Sequence, residues 1–324
     1  MTSRKNILPY YYPTTLVCID DDHIFLSNFA LQLDDHYSYK LFSSPSNAVE
    51  FINNSFTDSP LEKRCLSYYR PLNENEDLLH FDFNVLEREI SDGDRYKEVS
   101  VIIVDYEMHD MDGLELCNSI RDPNIKKVLL TGVADSNIAI DAFNKGIIDR
   151  FIVKNDPHII ETIHTAVREL QHQYFSDISR VIQHTLEVTT KGLLSNTKFN
   201  QFFLQLLNNK SIAEYYFVEN LTGFLLISTD GSIFRLIIQN KEQLAAGKTL
   251  AEKFRAPADF ISKVSWGDYI VNFWESPDDY YDKSEFDWSE NLLPALPIPG
   301  VEGYKYALID NPPVEIDYIT QSTP

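Results

Sequence analysis

In the first 170 residues, short apolar runs alternate with stretches whose apolar residues recur at helical spacing. Short apolar runs are typical of buried strands, and the stretches between them are typical of amphipathic helices. Strands that alternate with helices indicate βαβ crossovers, which produce a parallel sheet covered by helices on both faces. The predicted strands are Leu16–Ile19, Tyr39–Phe42, Val101–Val104, Val128–Leu130 and Phe151–Val153, and the predicted helices lie near 24–33, 45–53, 113–120, 136–144 and 157–172.

Five strands and five helices suit a doubly wound, flavodoxin-like α/β domain, which we assign to residues 14–172 after an N-terminal extension, 1–13. Ligands of such a sheet bind at the carboxyl ends of its strands. Residues 55–98 interrupt the pattern before the third strand, and we interpret them as an insertion with a short helix at His80–Ile90. The insertion could bind a partner, act as a local lid, or be a surface elaboration.

The helix that starts near Pro157 is predicted to continue past the domain, because apolar residues recur every three or four positions as far as Val188. Gly192 is a credible stop for this helix. We therefore predict a connecting helix at 173–194. It could pair with its twin in a homodimer or pack against its own C-terminal domain.

The pattern changes after Ser195, and residues 195–275 are predicted to form a smaller α+β domain. Asp230-Gly231 between two apolar runs is a strong hairpin signal, because this pair tolerates the positive φ angles of a tight turn. Residues 276–324 are predicted to be an acidic, proline-containing tail of extended or weakly ordered chain. The predicted helices are Phe199–Leu207, Ser211–Val218, Lys241–Phe254 and Pro257–Trp274, and the predicted strands are Phe224–Ser228 and Ile233–Ile238.

The formal net charge of −21 argues against non-specific binding of nucleic acids, because most of the surface would repel a polyanion. No apolar run approaches the length of a membrane span, and no signal peptide is evident. Three scattered cysteines indicate buried or idle thiols rather than a disulfide framework or a metal cluster. We therefore expect a cytoplasmic protein without membrane insertion.

Three acidic side chains follow strands that should end at the same edge of the sheet. Asp20 and Asp21 come directly after the first strand, and Asp105 ends the third. Like charges packed together are costly without a cation, and hard oxygen ligands suit Mg²⁺. Asp105 is then placed to attack a phosphorus atom and form an acyl phosphate.

Two further strand ends complete this constellation. Thr131 follows the fourth strand, where its hydroxyl could bond a phosphoryl oxygen, and Lys154 follows the fifth. The Lys154 ammonium could pair with the phosphate or, before phosphorylation, with Asp105. Individually these residues are common on surfaces, but an acid pair, an acid, a hydroxyl and an amine at successive strand ends form a specific pattern.

These motifs resemble the response-regulator receiver family of two-component signal transduction over residues 14–172. The resemblance implies a sensor histidine kinase or phosphotransfer protein as partner, Mg²⁺ as cofactor, and phosphorelay with self-dephosphorylation as the only enzymatic chemistry. It also implies that Asp21 is a direct metal ligand and that Glu107 offers its backbone carbonyl. The motifs are Leu16-Val17-Cys18-Ile19-Asp20-Asp21-Asp22, Val104 to Gly113 around Asp105, Leu129-Leu130-Thr131-Gly132 and Phe151-Ile152-Val153-Lys154.

The family's conformational switch maps onto Thr131 and Phe151, which repack the face of the fourth helix, fifth strand and fifth helix. As an isolated residue, Phe151 would more often be an ordinary core residue than part of a switch. Two residues depart from the family pattern: His109 and Asn155 both stand where Pro is usual. A cis peptide without Pro costs about 2.5–4 kcal/mol, so the Lys154–Asn155 bond is either trans, with Lys154 aimed differently, or strained for function.

The function of residues 195–324 has two interpretations. In the first, phosphorylation changes homodimerisation and the contacts of this domain with a downstream protein partner. In the second, the chain is a transcriptional regulator with an unfamiliar DNA-binding domain, for which Phe199–Val218 is the best helix-turn-helix candidate. Its second helix would present only Lys210 beside acidic and neutral residues, a poor face for a major groove.

Overall fold

The computed structural model describes residues 7–33, 38–55, 65–69, 78–81, 90, 93–132, 135–218, 222–272, 288 and 291–312. Its contacts divide the chain into two compact units. The N-terminal unit contains residues 11–181 apart from 83–91. The C-terminal unit contains the described residues from Ile182 onward, together with residues 7–10 and Ile90.

The helices and strands are numbered in chain order. The strands are β1 Tyr10–Tyr11, β2 Thr15–Ile19, β3 Ser38–Phe42, β4 Leu66–Tyr69, β5 Leu78–Phe81, β6 Val99–Asp105, β7 Lys126–Thr131, β8 Arg150–Val153, β9 Ile212–Val218, β10 Gly223–Ser228, β11 Ile233–Asn240, β12 Tyr269–Val271, β13 Leu292–Pro294, β14 Leu296–Pro297 and β15 Tyr304–Asp310. The α-helices are α1 His23–Ala30, α2 Pro45–Asn54, α3 Gly113–Ser119, α4 Ser136–Asn144, α5 Ile159–Ile178, α6 Arg180–Thr189, α7 Thr197–Asn209, α8 Lys241–Lys253 and α9 Ala258–Ser265.

A five-stranded parallel sheet forms the centre of the N-terminal unit, with strand order β3-β2-β6-β7-β8. The predicted flavodoxin-like fold is confirmed. Successive side chains of a strand point to opposite faces, so β2 contributes to two separate cores. Val17 and Ile19 pack with residues of α2, α3 and α4, whereas Leu16 and Cys18 pack with residues of α1 and α5.

Helices α1 and α3, which follow the carboxyl ends of β2 and β6, begin after aspartates that cap them. The Asp22 carboxylate accepts hydrogen bonds from the backbone N–H groups of Ile24 and Phe25, and Asp112 does the same for α3. These bonds satisfy N–H groups that have no partner within the helix. Capping therefore fixes the loops that carry Asp20 to Asp22 and Asp105 to Asp112.

The predicted insertion contains an antiparallel pair, β4 and β5, and a short 3₁₀ helix at Gly93–Lys97. The predicted helix at His80–Ile90 is wrong at His80 and Phe81, because both belong to β5 and pair with β4. Residues 82–89 of that prediction lie outside the described part of the chain.

The predicted continuous helix after Pro157 is two helices, α5 and α6, separated at Ser179. The Ser179 backbone leaves helical geometry at φ −112° and ψ 15°, and its hydroxyl donates to the Phe175 carbonyl at 2.5 Å. A serine hydroxyl that bonds the preceding turn competes with the helical ladder. The spacing of apolar residues does not reveal this break, because apolar residues recur every three or four positions on both sides of Ser179.

A largely antiparallel six-stranded sheet forms the centre of the C-terminal unit, with strand order β1-β9-β10-β11-β15-β14. The predicted hairpin is confirmed as β10 and β11, and Gly231 in its turn has φ +84°. The predicted helices at Phe199–Leu207 and Lys241–Phe254 are confirmed as α7 and α8. The prediction of an extended or weakly ordered tail at 276–324 is wrong at Tyr304–Asp310, because this segment forms β15 of the same sheet and pairs with β11 along its full length.

Two helix predictions in this unit are wrong. Ser211–Val218 forms strand β9, because its apolar run pairs with β10 and is buried from Glu214 to Val218. A short apolar run does not distinguish a strand from a buried helix by its spacing alone. The helix predicted at Pro257–Trp274 ends at Ser265, and after Gly267 at φ +73° the chain turns into β12.

Among the described residues, no helix combines the length and the hydropathy that a membrane span requires. Cys18, Cys65 and Cys117 are buried and not disulfide-bonded.

Candidate phosphoacceptor site

The carboxyl ends of four parallel strands bring the predicted site residues together. Asp20 follows β2, Asp105 is the last residue of β6, Thr131 is the last residue of β7, and Lys154 follows β8. One carboxylate oxygen from each of Asp20, Asp21 and Asp105 lies within 4.8 Å of the others. The convergence predicted from the strand ends is therefore present.

Lys154 lies between two of these acids. Its Nζ atom is 2.7 Å from Asp20 Oδ2 and 2.9 Å from Asp105 Oδ1, and it also lies 4.8 Å from the centre of the Phe25 ring. Burial opposes the charge of Lys154, but its hydrogen bonds to both carboxylates prevail and raise its pKa above the ordinary value. Lys154 therefore supplies the cation that like charges in this pocket require.

Asp105 is strongly buried, with 9% of its side chain exposed. Burial raises the pKa of Asp105, and the hydrogen bond from Lys154 only partly offsets this effect. A buried carboxylate whose charge is incompletely compensated would be stabilised by a further cation. It would also be stabilised by forming an ester-like bond, which removes its charge.

The Lys154–Asn155 peptide bond is trans, since the structure contains no cis peptide in its described residues. The Lys154 N–H donates to the Thr131 carbonyl at 2.9 Å, which holds the start of this loop to the end of β7. The Lys154 side chain still reaches Asp20 and Asp105, so the absence of Pro does not aim it away from the site.

Thr131 is fully buried, and its hydroxyl oxygen has no hydrogen-bond partner among the described residues. A buried hydroxyl without a partner loses its hydration and gains nothing in exchange, at a cost of about 1–3 kcal/mol. The Thr131 hydroxyl could therefore donate a hydrogen bond to a ligand that has an acceptor oxygen at this end of the strand.

Gly113 fixes the loop that follows Asp105. Its N–H donates to the Tyr106 carbonyl at 3.0 Å. A Cβ atom at this position would lie 2.3 Å from the Asp105 carbonyl oxygen and 2.8 Å from Leu129. Only glycine allows this approach, so α3 begins directly against the end of β6.

Asp21 lies at the exposed side of the cluster, with 24% of its side chain exposed. Its Oδ2 atom accepts hydrogen bonds from the His109 backbone N–H at 3.1 Å and contacts the His109 Nδ1 atom. The bond from the His109 side chain holds the pKa of Asp21 below its usual range. His109 is a site residue that the sequence analysis did not assign, although its place in a normally Pro-containing loop was a signal.

The remaining predicted residues lie near the site in different environments. Glu107 is exposed in the loop after β6, two residues beyond Asp105. Phe151 is half-buried and packs against the core that contains Ala139 and Ala142 of α4. Phe151 in β8, the strand that Lys154 follows, therefore packs against the same core as α4.

The residues present fit a hard divalent cation. Three carboxylates offer oxygen ligands within 4.8 Å of one another, which is the chemistry that Mg²⁺ prefers. Asp105 and Asp20 are buried acids whose repulsion a divalent cation would relieve more fully than Lys154 alone.

Comparison with known proteins agrees with this geometry. A sequence profile of the response regulator receiver domain matches residues 88–168. No curated protein matches the chain. Among solved structures, the response regulator LqsR of Legionella pneumophila is 33% identical, with a TM-score of 0.74, and the alignment covers 98% of this chain and 94% of LqsR.

Two further solved structures are similar over about half of this chain. An adenylate cyclase from Rhodopirellula baltica is 21% identical with a TM-score of 0.35, covering 54% of this chain and 98% of that one. A CheY-like receiver domain protein from Methanospirillum hungatei is 16% identical with a TM-score of 0.33, covering 50% and 96%. The likeness to LqsR extends over both units of this chain, and the chain belongs to the response regulator family.

Proposed function

We propose that this response regulator accepts a phosphoryl group on Asp105 from a sensor histidine kinase or a phosphotransfer protein. The observation that carries the proposal is the arrangement around Asp105. A buried carboxylate with a raised pKa lies 2.9 Å from Lys154, beside a buried Thr131 hydroxyl that has no partner in the described chain. Each feature is suited to a bound phosphoryl group.

In the transfer, an Asp105 carboxylate oxygen attacks the phosphorus of a phosphohistidine. The new O–P bond forms as the N–P bond breaks, and the imidazole nitrogen leaves with the bonding electron pair. Lys154 pairs with the charged oxygens, and the Thr131 hydroxyl donates to one of them. Both groups are held at strand ends and need little rearrangement to act.

Mg²⁺ would be held by Asp20, Asp21 and Asp105, with Glu107 contributing its backbone carbonyl. When bound, it neutralises charge on the phosphoryl oxygens. Asp20 is fully buried and fixed by Lys154 and by the N–H of Asp22, so its orientation is set before any ligand arrives.

The phosphodonor is proposed to dock beside the site on α1. Ile24 in this helix and Leu31 directly after it expose 72% and 85% of their surface, and the first turn of the helix directly follows Asp20 to Asp22. Exposed large apolar side chains next to a reactive group are typical of a transient protein interface. Docking there would bring a donor histidine close to Asp105.

The response is proposed to pass from Thr131 and Phe151 to α4 and to change homodimerisation. Three apolar side chains on α4 are largely exposed: Ile138, Ile140 and Phe143, at 43%, 46% and 50%. Phe151 packs against the core cluster that contains the buried residues Ala139 and Ala142 of the same helix. Movement of Phe151 would therefore alter how α4 presents these side chains to a second copy.

We propose that the C-terminal unit is a non-enzymatic output that contacts a downstream protein in the cytoplasm. The net charge of −21 disfavours DNA as that partner. The helix-turn-helix candidate is also lost, because Ser211–Val218 is a strand rather than a recognition helix. No feature of the described residues favours the transcription-regulator alternative.

The test is to incubate the chain with Mg²⁺ and a small phosphodonor such as acetyl phosphate. Intact mass spectrometry should show the addition of one phosphoryl group to the wild type and none to Asp105→Asn. Asp110→Asn is the matched control, because Asp110 is an exposed acid in the same loop. Light scattering on the same samples should show a larger mass only where Asp105 is phosphorylated.

Phosphorylation of Asp105→Asn at the wild-type level would contradict the assignment of the phosphoacceptor. Phosphorylation of the wild type with an unchanged molar mass would contradict the proposed change in dimerisation, while leaving the phosphoacceptor assignment intact.

A further inference from the structure

His109 directs two hydrogen-bond donors at one oxygen of Asp21. Its backbone N–H lies 3.1 Å from Asp21 Oδ2, and its Nδ1 atom contacts the same oxygen. The two residues are 88 positions apart, so the contact depends on the loop after β6 folding back over the end of β2. The imidazole itself is 94% exposed, and its described contacts at the site are with Asp21.

The three acids of the cluster are held by different groups. Asp20 and Asp105 both pair with Lys154, and the N–H of Asp22 also donates to Asp20. In the part of the chain that the structure describes, Asp21 forms its ion pair with His109 and not with Lys154. Asp21 is also the most exposed of the three, so without His109 its carboxylate would be free to rotate into solvent.

A proline at position 109 could provide neither donor, because it lacks an N–H and carries an apolar ring. An alanine would keep the backbone N–H and lose the side-chain donor. An asparagine would keep the N–H and could place its amide nitrogen close to the position of the imidazole Nδ1. Substitutions at position 109 can therefore change the number of hydrogen-bond donors to Asp21 from two to one or to none.

We propose that His109 is a positioning residue that holds Asp21 through Oδ2 and so keeps its carboxylate in place for a divalent cation shared with Asp20 and Asp105. This inference rests on the proposed Mg²⁺ site. Hydrogen bonds to the outer oxygen of a ligating carboxylate orient the ligand and raise the affinity for the metal. Two arrangements compete with it: His109 could bind the metal directly, or it could block Asp21 and be displaced by the metal.

The experiment is an equilibrium titration of the full chain with Mn²⁺, in which electron paramagnetic resonance measures the free ion. Mg²⁺ and Ni²⁺ affinities follow from competition. Asp21→Asn identifies the site, because it removes a carboxylate ligand. His184→Ala is the matched control, since His184 is an exposed histidine outside the cluster. Thermal unfolding of each variant shows whether it is folded.

The expected order of affinity follows the number of donors on Asp21. His109→Asn should stay within about 2-fold of the wild type, His109→Ala should lose about 3-fold, and His109→Pro should lose about 10-fold. The losses should be similar for Mg²⁺ and Mn²⁺. His109→Ala and His109→Asn change no backbone constraint, so they test the inference even if His109→Pro unfolds.

Two results would overturn the inference while leaving the metal site itself in place. Affinities of His109→Ala and His109→Pro equal to the wild type would mean that His109 does not position Asp21, and tighter affinities would mean that it competes with the metal for Asp21. A loss confined to Ni²⁺ would mean direct ligation, because imidazole suits that metal far better than Mg²⁺. Absence of any Mn²⁺ binding that Asp21→Asn removes would overturn both this inference and the proposed Mg²⁺ site.

Discussion

The two ends of the parallel sheet contain similar polar groups, but the sheet satisfies them differently. At the amino ends of the strands, the Thr14 hydroxyl bonds Ser100 at 2.5 Å and accepts from Gln171 at 3.1 Å. Glu98 there accepts from the hydroxyl groups of both Tyr12 and Tyr174. Each of these side chains has a hydrogen-bond partner at this end, and the groups connect β2 and β6 to α5.

At the carboxyl ends, by contrast, two buried acids share one lysine, and the Thr131 hydroxyl has no partner among the described residues. The same fold and similar residue types thus give a satisfied network at one end and an incompletely satisfied one at the other. The difference indicates which end of the sheet suits a ligand, because unsatisfied groups are retained where a ligand completes them. Changes at the two ends should therefore affect stability with opposite signs.

The largest effect is expected from the amino end at Lys126, which is 7% exposed and pairs with Asp177 at 2.6 Å. Asp177→Ala should lower the free energy of unfolding by about 2 kcal/mol, because it leaves a buried ammonium without its partner. Chemical denaturation measures this loss. The double variant Lys126→Met/Asp177→Ala should recover most of it, since no buried charge remains.

Glu169→Gln is the matched control for this change. Glu169 pairs with Arg150 at 2.8 Å, but both side chains are substantially exposed, at 49% and 36%. Its loss should stay within about 0.5 kcal/mol. Equal losses of stability in Asp177→Ala and Glu169→Gln would mean that the buried pair at the amino end contributes no more than an exposed surface pair.

A smaller effect is expected at Glu98. Tyr174→Phe removes one of the two hydroxyl donors and keeps the ring that packs against Phe175. The free energy of unfolding should fall by about 1 kcal/mol, the usual contribution of one such hydrogen bond. Thermal and chemical denaturation measure it, and phosphorylation of Asp105 should be unchanged. A loss of phosphorylation with intact stability would mean that the two ends of the sheet are coupled.

The sequence predicted the carboxyl end well because its information is local. Each of Asp20, Asp105, Thr131 and Lys154 adjoins an apolar run, and parallel topology alone brings strand ends together. The contact between His109 and Asp21 could not be predicted from the sequence, because it depends on how one loop folds over another.

The C-terminal unit shows the complementary limit. The hairpin turn at Asp230-Gly231 is specified by local backbone chemistry and was predictable. Strand β9 was not, because a buried apolar run fits a helix or a strand until its neighbours are known. The pairing of β15 with β11 joins segments far apart in the chain, and the local sequence of each segment does not identify the strand with which it pairs.

The smallest effect, and the one of opposite sign, is expected at Asp105. In the absence of divalent cations, Asp105→Asn should raise the free energy of unfolding by about 1 kcal/mol or less, because it removes a poorly compensated buried charge.

The gain in stability from Asp105→Asn should depend on pH. Burial raises the pKa of Asp105 in the folded state above that in the unfolded chain, so between the two values the folded state binds more protons and its stability falls as pH rises. Above the folded pKa the advantage of Asp105→Asn is therefore complete, and it disappears as pH falls below the unfolded pKa. Denaturation in chelator across acidic to neutral pH measures the difference; a destabilised Asp105→Asn at neutral pH would show that the carboxyl end is as well satisfied as the amino end.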